Sequence, residues 1–470
     1  MKGSTGGWEI NSFIRADIMV KNLARRWRIC LVVMVLGISA CASFNAVDKP
    51  LSHWTPALDR RAKRQIVGER SPELLILLAF SGGGTRAAAF AYGVLQELAA
   101  TEITTEDGPQ SLLHEVDVIS PVSGGSFAAA YYGLRGDRIF DEFEHRFLRR
   151  NIEGALIWQM FKPINWFRLI SSKYGRADLA AEYYDNNLFN GATFADLQRP
   201  DAPLVVINAT DLATGIRFPF NEATFDLTCA DFDKYPISRA VAASSAVPVV
   251  FTPITIRSYA GSCGFEPPAW LGEALQDKTL TTRKVEARAL EDYLDRHKRP
   301  WIHLVDGGIA DNLGLRSFYT AVSLIGDPYA AFEQFGHPAA RHILIILVNA
   351  HANEKTDWAL ARAAPSLLEV VGSVTADQID RYNLDTIDIV RSAFTRWTEE
   401  LSTPERPVTF NFVEVSFDAV EDAAERRYLN DIGTNFDLTD EQVDRLISNA
   451  HYVLRSSTEF QVFLSYNQRL

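Results

Sequence analysis

The chain has 470 residues, of which 47% are hydrophobic and 23% charged, an ordinary globular balance with enough apolar side chains for a large core. That length suits one large α/β domain with additions, or about two or three ordinary domains. A formal net charge of −12 argues against nucleic acid as a partner, because phosphate binding needs a basic surface.

The first forty residues carry six basic and two acidic side chains, so the remainder is more acidic than the whole. Lys21 to Arg28 form a basic stretch, and Ile29 to Ala40, ICLVVMVLGISA, form an apolar run. The run is too short for a comfortable bilayer span and has the length of a signal-peptide core. Residues 1–40 are therefore expected to be a signal peptide, with Met19 a more typical start than Met1. Ile38-Ser39-Ala40-Cys41 resembles the lipobox of bacterial lipoproteins. That resemblance implies acylation of Cys41 and a membrane-anchored lipoprotein of the bacterial envelope, facing the periplasm, with the outer membrane as the expected site. An uncleaved anchor with an incidental cysteine is the competing reading. Besides Cys30 and Cys41 only Cys229 and Cys263 remain. In an oxidising compartment this even pair is expected to form a disulfide, stabilising by roughly 3–4 kcal/mol through chain entropy.

Residues 41–70 are polar and charge-dense and are expected to form a tether. LLILLAF (74–80) is a continuous apolar run, as in a buried parallel strand. Ser81-Gly82-Gly83-Gly84 and an alanine-rich helix, TRAAAFAYGVLQELAA (85–100), follow. The strand VDVI (116–119) then meets SPVSGGS and a small-residue helix, FAAAYYGL (127–134). Strand, glycine turn and helix, repeated, predict βα units and a mainly parallel sheet. Further strands are expected at PLVVINA (203–209), WIHLVDGG (301–308) and HILIILVNA (342–350), with a helix at SRAVAASSA (238–246). Residues 352–470 change character: a helical pattern over 365–400, a strand-like VTFNFVEVSF (408–417), and helices near 421–431 and 439–454. Thr439 and Gln442 fit a capping box at the start of the last helix. The expected division is a hydrolase domain over 71–351 and an α-rich extension, 352–470, packed on it.

Three predicted strands end in chemically suggestive groups, and sites in open α/β sheets form at carboxyl ends of strands. Gly82, Gly83 and Gly84 can turn tightly and present N–H groups at a helix N-terminus, where a phosphate or an oxyanion would be held. No P-loop lysine is present, nor the last glycine of a dinucleotide fingerprint. Ser123 stands at a strand-to-helix junction, as a nucleophile elbow requires, with Pro121 in place of the first elbow glycine. A helix-cap role is the alternative for Ser123. Ser126 falls about one turn into the helix, where its hydroxyl is less exposed. Asp306 precedes two glycines, a context equally suited to a turn, and as a base it would need burial to tune it. His337, His342, His351 and His451 lie downstream, but none has a distinctive loop motif, so a Ser–Asp pair is favoured over a triad. No metal-binding motif and no cofactor fingerprint is found.

GGGTR, SGGS after a strand and DGG downstream, in this order, resemble the patatin-like phospholipases. NATDLATG (208–215) and ASSAVP (243–248) also look like that family's intermediate segments, so the resemblance covers roughly 74–350. It implies a three-layer α/β/α core, Ser123 as nucleophile, Asp306 as its dyad partner and Gly82–Gly84 as the oxyanion loop. The implied activity is hydrolysis of lipid or phospholipid esters without a cofactor. The alternative is a catalytically silent envelope lipoprotein that binds lipid or scaffolds an assembly. Arg86 is a candidate for a lipid head-group contact, although a surface salt bridge is the commoner role. The aromatic segment 155–175, with Lys162, Arg168, Lys173 and nearby Arg176, is expected to be core and active-site cover rather than a lipid-facing surface, because aromatics dominate cores.

Overall fold

The computed structural model describes residues 48–56, 70–105, 108–171, 173–352, 362 and 364–467. The expected signal peptide, the Met19 start and the Cys41 lipidation site lie outside the described residues. Those described divide into a main unit, 48–160 with 175–467, and the segment Phe161–Tyr174.

The central sheet is built from β1 (Leu74–Phe80), β2 (Val116–Pro121), β3 (Leu204–Val205) and two later strands. The segment expected as one strand over 203–209 is split: after β3 the chain leaves this sheet and forms β4 (Asn208–Asp211) in another. There β4 lies between β5 (Arg217–Pro219) and β7 (Trp301–Val305), with β6 (Ile254–Arg257) beyond, all paired antiparallel. A parallel bridge between Val122 and Asn208 joins the two sheets where β2 ends. The central sheet is completed by β8 (His342–Asn349) and β9 (Thr409–Ser416), giving the all-parallel order β9-β8-β1-β2-β3. Thus β9, read in sequence as part of a C-terminal extension, is a strand of the main sheet, in register from His342–Thr409 to Asn349–Ser416.

Every residue of β1 is buried because helices cover both faces of the sheet. Leu74, Ile76, Leu78 and Phe80 point into one core and Leu75, Leu77 and Ala79 into the other, as the two-residue strand repeat dictates. The first face carries α1 (Gly84–Ala100) and α2 (Gly124–Arg135), whose alanines and glycines permit close packing. The chain then forms α3 (Ile152–Phe161), α4 (Pro163–Leu169) and, after β5, α5 (Ile237–Ser244). The second face is covered by α6 (Arg316–Ile325) and α7 (Leu367–Leu401) through Phe318, Val322, Val390 and Phe394. The chain returns to the first face in α8 (Asp440–Ser456), where Val443, Leu446 and Val453 join the core containing α1. Gly93 of α1 allows this approach, since a side chain there would strike Ala450 and the Ile447 backbone. The Thr439–Gln442 capping box forms, with reciprocal bonds of 3.2 and 2.9 Å. The fold is a mainly parallel sheet between helical layers, as expected.

Cys229 and Cys263 are joined in a disulfide, 34 residues apart. Residues 48–56, within the expected tether, are laid along this disulfide: Leu51 N donates to Cys229 O and Trp54 N to Cys263 O. Asp48 accepts from Arg257 N, and the Trp54 indole donates to Asp226.

Candidate active site

Ser123 sits between β2 and α2 with φ 47° and ψ −117°. A positive φ is costly for a side chain other than glycine and occurs where surrounding structure enforces it. Here Val122 N donates to Phe80 O and Ser123 N to Ser244 Oγ, at 2.9 and 2.8 Å, pinning the turn on both sides. The Pro121 departure has a physical explanation. Because Val122 donates toward β1, the Pro121 nitrogen faces the chain just beyond β3, where Val206 O accepts from the Asn208 side-chain amide in place of the ladder donor that proline lacks.

Asp306 follows β7 and, like Ser123, is largely buried. Its Oδ2 accepts a hydrogen bond from Ser123 Oγ at 2.9 Å, across 183 residues of sequence. Its Oδ1 accepts from Gly308 N at 2.8 Å, and its main chain is held by Ala246 O and Thr210 Oγ1. Burial pushes the Asp306 carboxyl up from 3.8 to about 6, with the Gly308 N–H and the Ser123 hydroxyl pulling the other way. Gly307 is required by close approach, since a side chain there would collide with the Asn208 carbonyl.

The glycine loop is packed directly on the serine turn. A Cβ on Gly124 would run into the Gly84 backbone, and one on Gly82 would meet Ser123 Cβ. Gly83 and Gly84 have φ of 136° and 61°, conformations open to glycine but strained for other residues. The three glycines are not equivalent. Gly82 N donates to Asn312 O at 3.0 Å, tying this loop to the one that carries Asp306. No such bond engages the N–H groups of Gly83, Gly84 and Gly124 among the described residues, and all three stand at helix N-termini.

Ser126 is fully buried, and its Oγ lies 2.9 Å from Ser244 Oγ. Ser244 gives its own hydrogen to Asn208 O at 2.6 Å, so Ser126 is the donor of that pair. Ser126 is thereby a strut of the elbow. Ser244 and Asn208, to which the sequence assigned no individual roles, organise this region. Ser244 links the serine turn to β4, while the Asn208 amide donates to Ser120 Oγ and to Pro121 O. Their only sequence signal is membership in ASSAVP and NATDLATG.

The histidines lie elsewhere. His342 contacts Thr409, His351 pairs with Asp380, His451 contacts Gln96 and His337 faces Asp117. Arg86, weighed in sequence as a surface salt bridge or head-group contact, is buried. Its guanidinium donates to the carbonyls of Ala350 and Ile432 and to Thr434 Oγ1. It thus fastens the chain before α8 beside the glycine loop, where Asn435 O accepts from Thr85 N at 2.9 Å.

A family model described as patatin-like phospholipase matches residues 78–319, half of the chain. Among solved structures, human GIVD cytosolic phospholipase A2 is 12% identical over 91% of this chain and 69% of its own, with a TM-score of 0.43. The same human protein in complex with methyl gamma-linolenyl fluorophosphonate is 13% identical, with 90% and 66% covered and a TM-score of 0.40. VipD from Legionella pneumophila is 12% identical, with 84% and 67% covered and a TM-score of 0.31. No curated protein matches the chain. The family match runs from the middle of β1 through the glycine loop, the serine turn and the aspartate loop into α6, and on it this chain belongs to the patatin-like phospholipases.

Proposed function

We propose that the chain is a serine-dependent lipid acyl hydrolase of the phospholipase A or lysophospholipase type, with Ser123 as nucleophile and Asp306 as general base. The observation that carries this reading is the 2.9 Å hydrogen bond from Ser123 Oγ to Asp306 Oδ2, made by a serine held at positive φ. In the first step the Ser123 oxygen attacks the ester carbonyl and its proton passes to Asp306. The oxyanion is held by the N–H groups of Gly83 and Gly84, with that of Gly124 alongside, while Gly82 supplies the turn. Asp306 then protonates the departing alkoxide, leaving an acyl-serine. Water, losing its proton to Asp306, attacks this ester and releases the fatty acid, and Ser123 recovers its proton. An Asp306 carboxyl at about 6 is ionised at neutral pH yet basic enough to share a proton in the transition state.

The lipobox resemblance extends the proposal to an acylated Cys41 that anchors the enzyme in the bacterial envelope, facing the periplasm. Several chains of a lipoprotein anchor would hold firmly where one binds marginally. An unmodified Cys41 still preceded by residues 19–40, seen by mass spectrometry of the mature protein, would remove this part alone.

Fluorophosphonate labelling and a lipid-panel hydrolysis assay test the enzyme directly. Wild type and Ser126→Ala are expected to label, and Ser123→Ala to lose both labelling and turnover. Absence of labelling in wild type with every lipid present would refute the hydrolase and leave a silent lipid-binding protein.

A further inference from the structure

The segment expected to be buried cover exposes most of its large apolar side chains. Of α3 only Ile152 and Leu156 are buried, and of α4 only Asn165. A helix that buries its asparagine and exposes Ile164, Trp166 and Phe167 is inverted relative to a core helix. Trp158 is 68% exposed, Phe161 64% and Ile170 82%. Exposed large apolar residues this dense mark an interaction surface rather than ordinary scatter.

Charge selects the partner. From 154 to 177 the chain has Lys162, Arg168, Lys173 and Arg176 and no aspartate or glutamate, in a protein of net charge −12. Tryptophan with interspersed cations is the composition of a helix lying in a membrane interface, where indoles sit at head-group level and cations meet anionic lipid. Arg168 packs over the Tyr174 ring at 4.0 Å, so one cation and one aromatic already form a unit within the segment.

The attachment points connect this surface to the chemistry. Where the segment leaves the main unit, Ile152 N donates to Phe436 O, next to the Asn435 that accepts from Thr85 of the glycine loop. Where it rejoins, Arg176 donates to Val249 O at 2.7 Å and Ala177 N to Thr252 Oγ1 at 3.2 Å. These residues follow closely on Ala246, whose carbonyl holds Asp306 N. One end is thus anchored one residue from the partner of Thr85, and the other within a few residues of the Ala246 that holds Asp306. Val249 and Val250, also exposed, continue the apolar character at the second root.

We propose that residues 154–174 are a docking element for anionic phospholipid bilayers. This rests on the lipid hydrolase reading for its purpose but not for its measurement. Full-length Ser123→Ala protein would be added to phosphatidylcholine vesicles with and without phosphatidylglycerol, using brominated acyl chains to quench tryptophan. Trp8 and Trp27 of the N-terminal stretch can be quenched by insertion of that stretch as well, so it is the quenching removed with Trp158 and Trp166 that reports the docking element. That quenching is expected to increase with phosphatidylglycerol and to be lost when Trp158→Gln and Trp166→Gln are added. In the active enzyme these changes are expected to lower vesicle hydrolysis about tenfold or more, leaving turnover of a soluble short-chain ester unchanged. Ile170→Glu, at the most exposed of the segment's large apolar residues, serves as a second variant with little packing to lose and is expected to show the same split. Equal quenching and equal vesicle hydrolysis in all variants would overturn the proposal. So would concentration-dependent self-association that Trp166→Gln abolishes without affecting vesicle binding, which would assign the face to a second copy. Wild type that cleaves neither substrate but still shows that quenching would keep the docking element and remove the hydrolase reading.

Discussion

Replacing Asp306 with asparagine separates stability from activity in a way the geometry makes quantitative. Asparagine keeps the shape, and its oxygen can still accept from Gly308 N, but it cannot take a proton from Ser123. Turnover should fall by about a thousandfold, within the range for loss of a general base. Stability should move in the opposite direction. The folded carboxyl titrates near 6 against an ordinary 3.8, and at about 1.4 kcal/mol per tenfold this gap corresponds to about 3 kcal/mol. Because the folded value is the raised one, the stabilising proton is fully in place below about pH 4 and is lost as pH rises through 6. At pH 7 the wild type therefore bears the cost of a buried charge that Asp306→Asn avoids. Urea unfolding of both proteins from pH 4 to pH 7 should show the variant gaining about 2 kcal/mol relative to wild type across that range, the rest of the difference being already present at pH 4. The same carboxyl should appear in kcat/KM for a soluble ester as a fall of about tenfold per pH unit below about 6. A stability difference independent of pH, or near-normal turnover by Asp306→Asn, would refute both the buried charge and its role.

Ser244→Ala removes the acceptor for Ser123 N and the donor to Asn208 O. It should cost about 1–2 kcal/mol in thermal unfolding and lower kcat by roughly tenfold as the elbow relaxes. Arg86→Met leaves the Ala350 and Ile432 carbonyls without their donor. It should destabilise by about 3 kcal/mol in urea and reduce hydrolysis of soluble and vesicle esters alike, with Arg86→Lys recovering only part because an ammonium cannot fork between them. A loss confined to vesicles at unchanged stability would instead restore a head-group role. Reducing the Cys229–Cys263 disulfide should lower stability by roughly 3–4 kcal/mol, measured as a shift in urea midpoint.

Much of this molecule is legible locally. The apolar run of β1, the glycine turn and the small-residue helix are short-range patterns, and backbone sterics translate them into a βα unit wherever they occur. Ser123 and Asp306 are marked by equally short patterns, a serine at a strand-to-helix junction and an aspartate before paired glycines, although alone the first also fits a helix cap and the second a turn. Other readings needed contacts that sequence spacing cannot encode. PLVVINA looked like one strand because hydrophobicity does not record which sheet a residue joins, and its two halves pair in different ones. Segment 155–175 looked like core because aromatic content measures what a surface could bury, not whether anything covers it.

The sequence by itself determined the βα order, the chemical identity of the candidate pair and the acidity of the whole. Tertiary structure alone decided that the hydroxyl and carboxylate meet, that burial raises the carboxyl to about 6, and that Ser126 is a strut. It also turned Arg86 inward and made β9 part of the main sheet. The physical reason is common to these cases. Desolvation and hydrogen-bond geometry depend on groups brought together from distant parts of the chain, as across the 346 residues between Arg86 and Ile432.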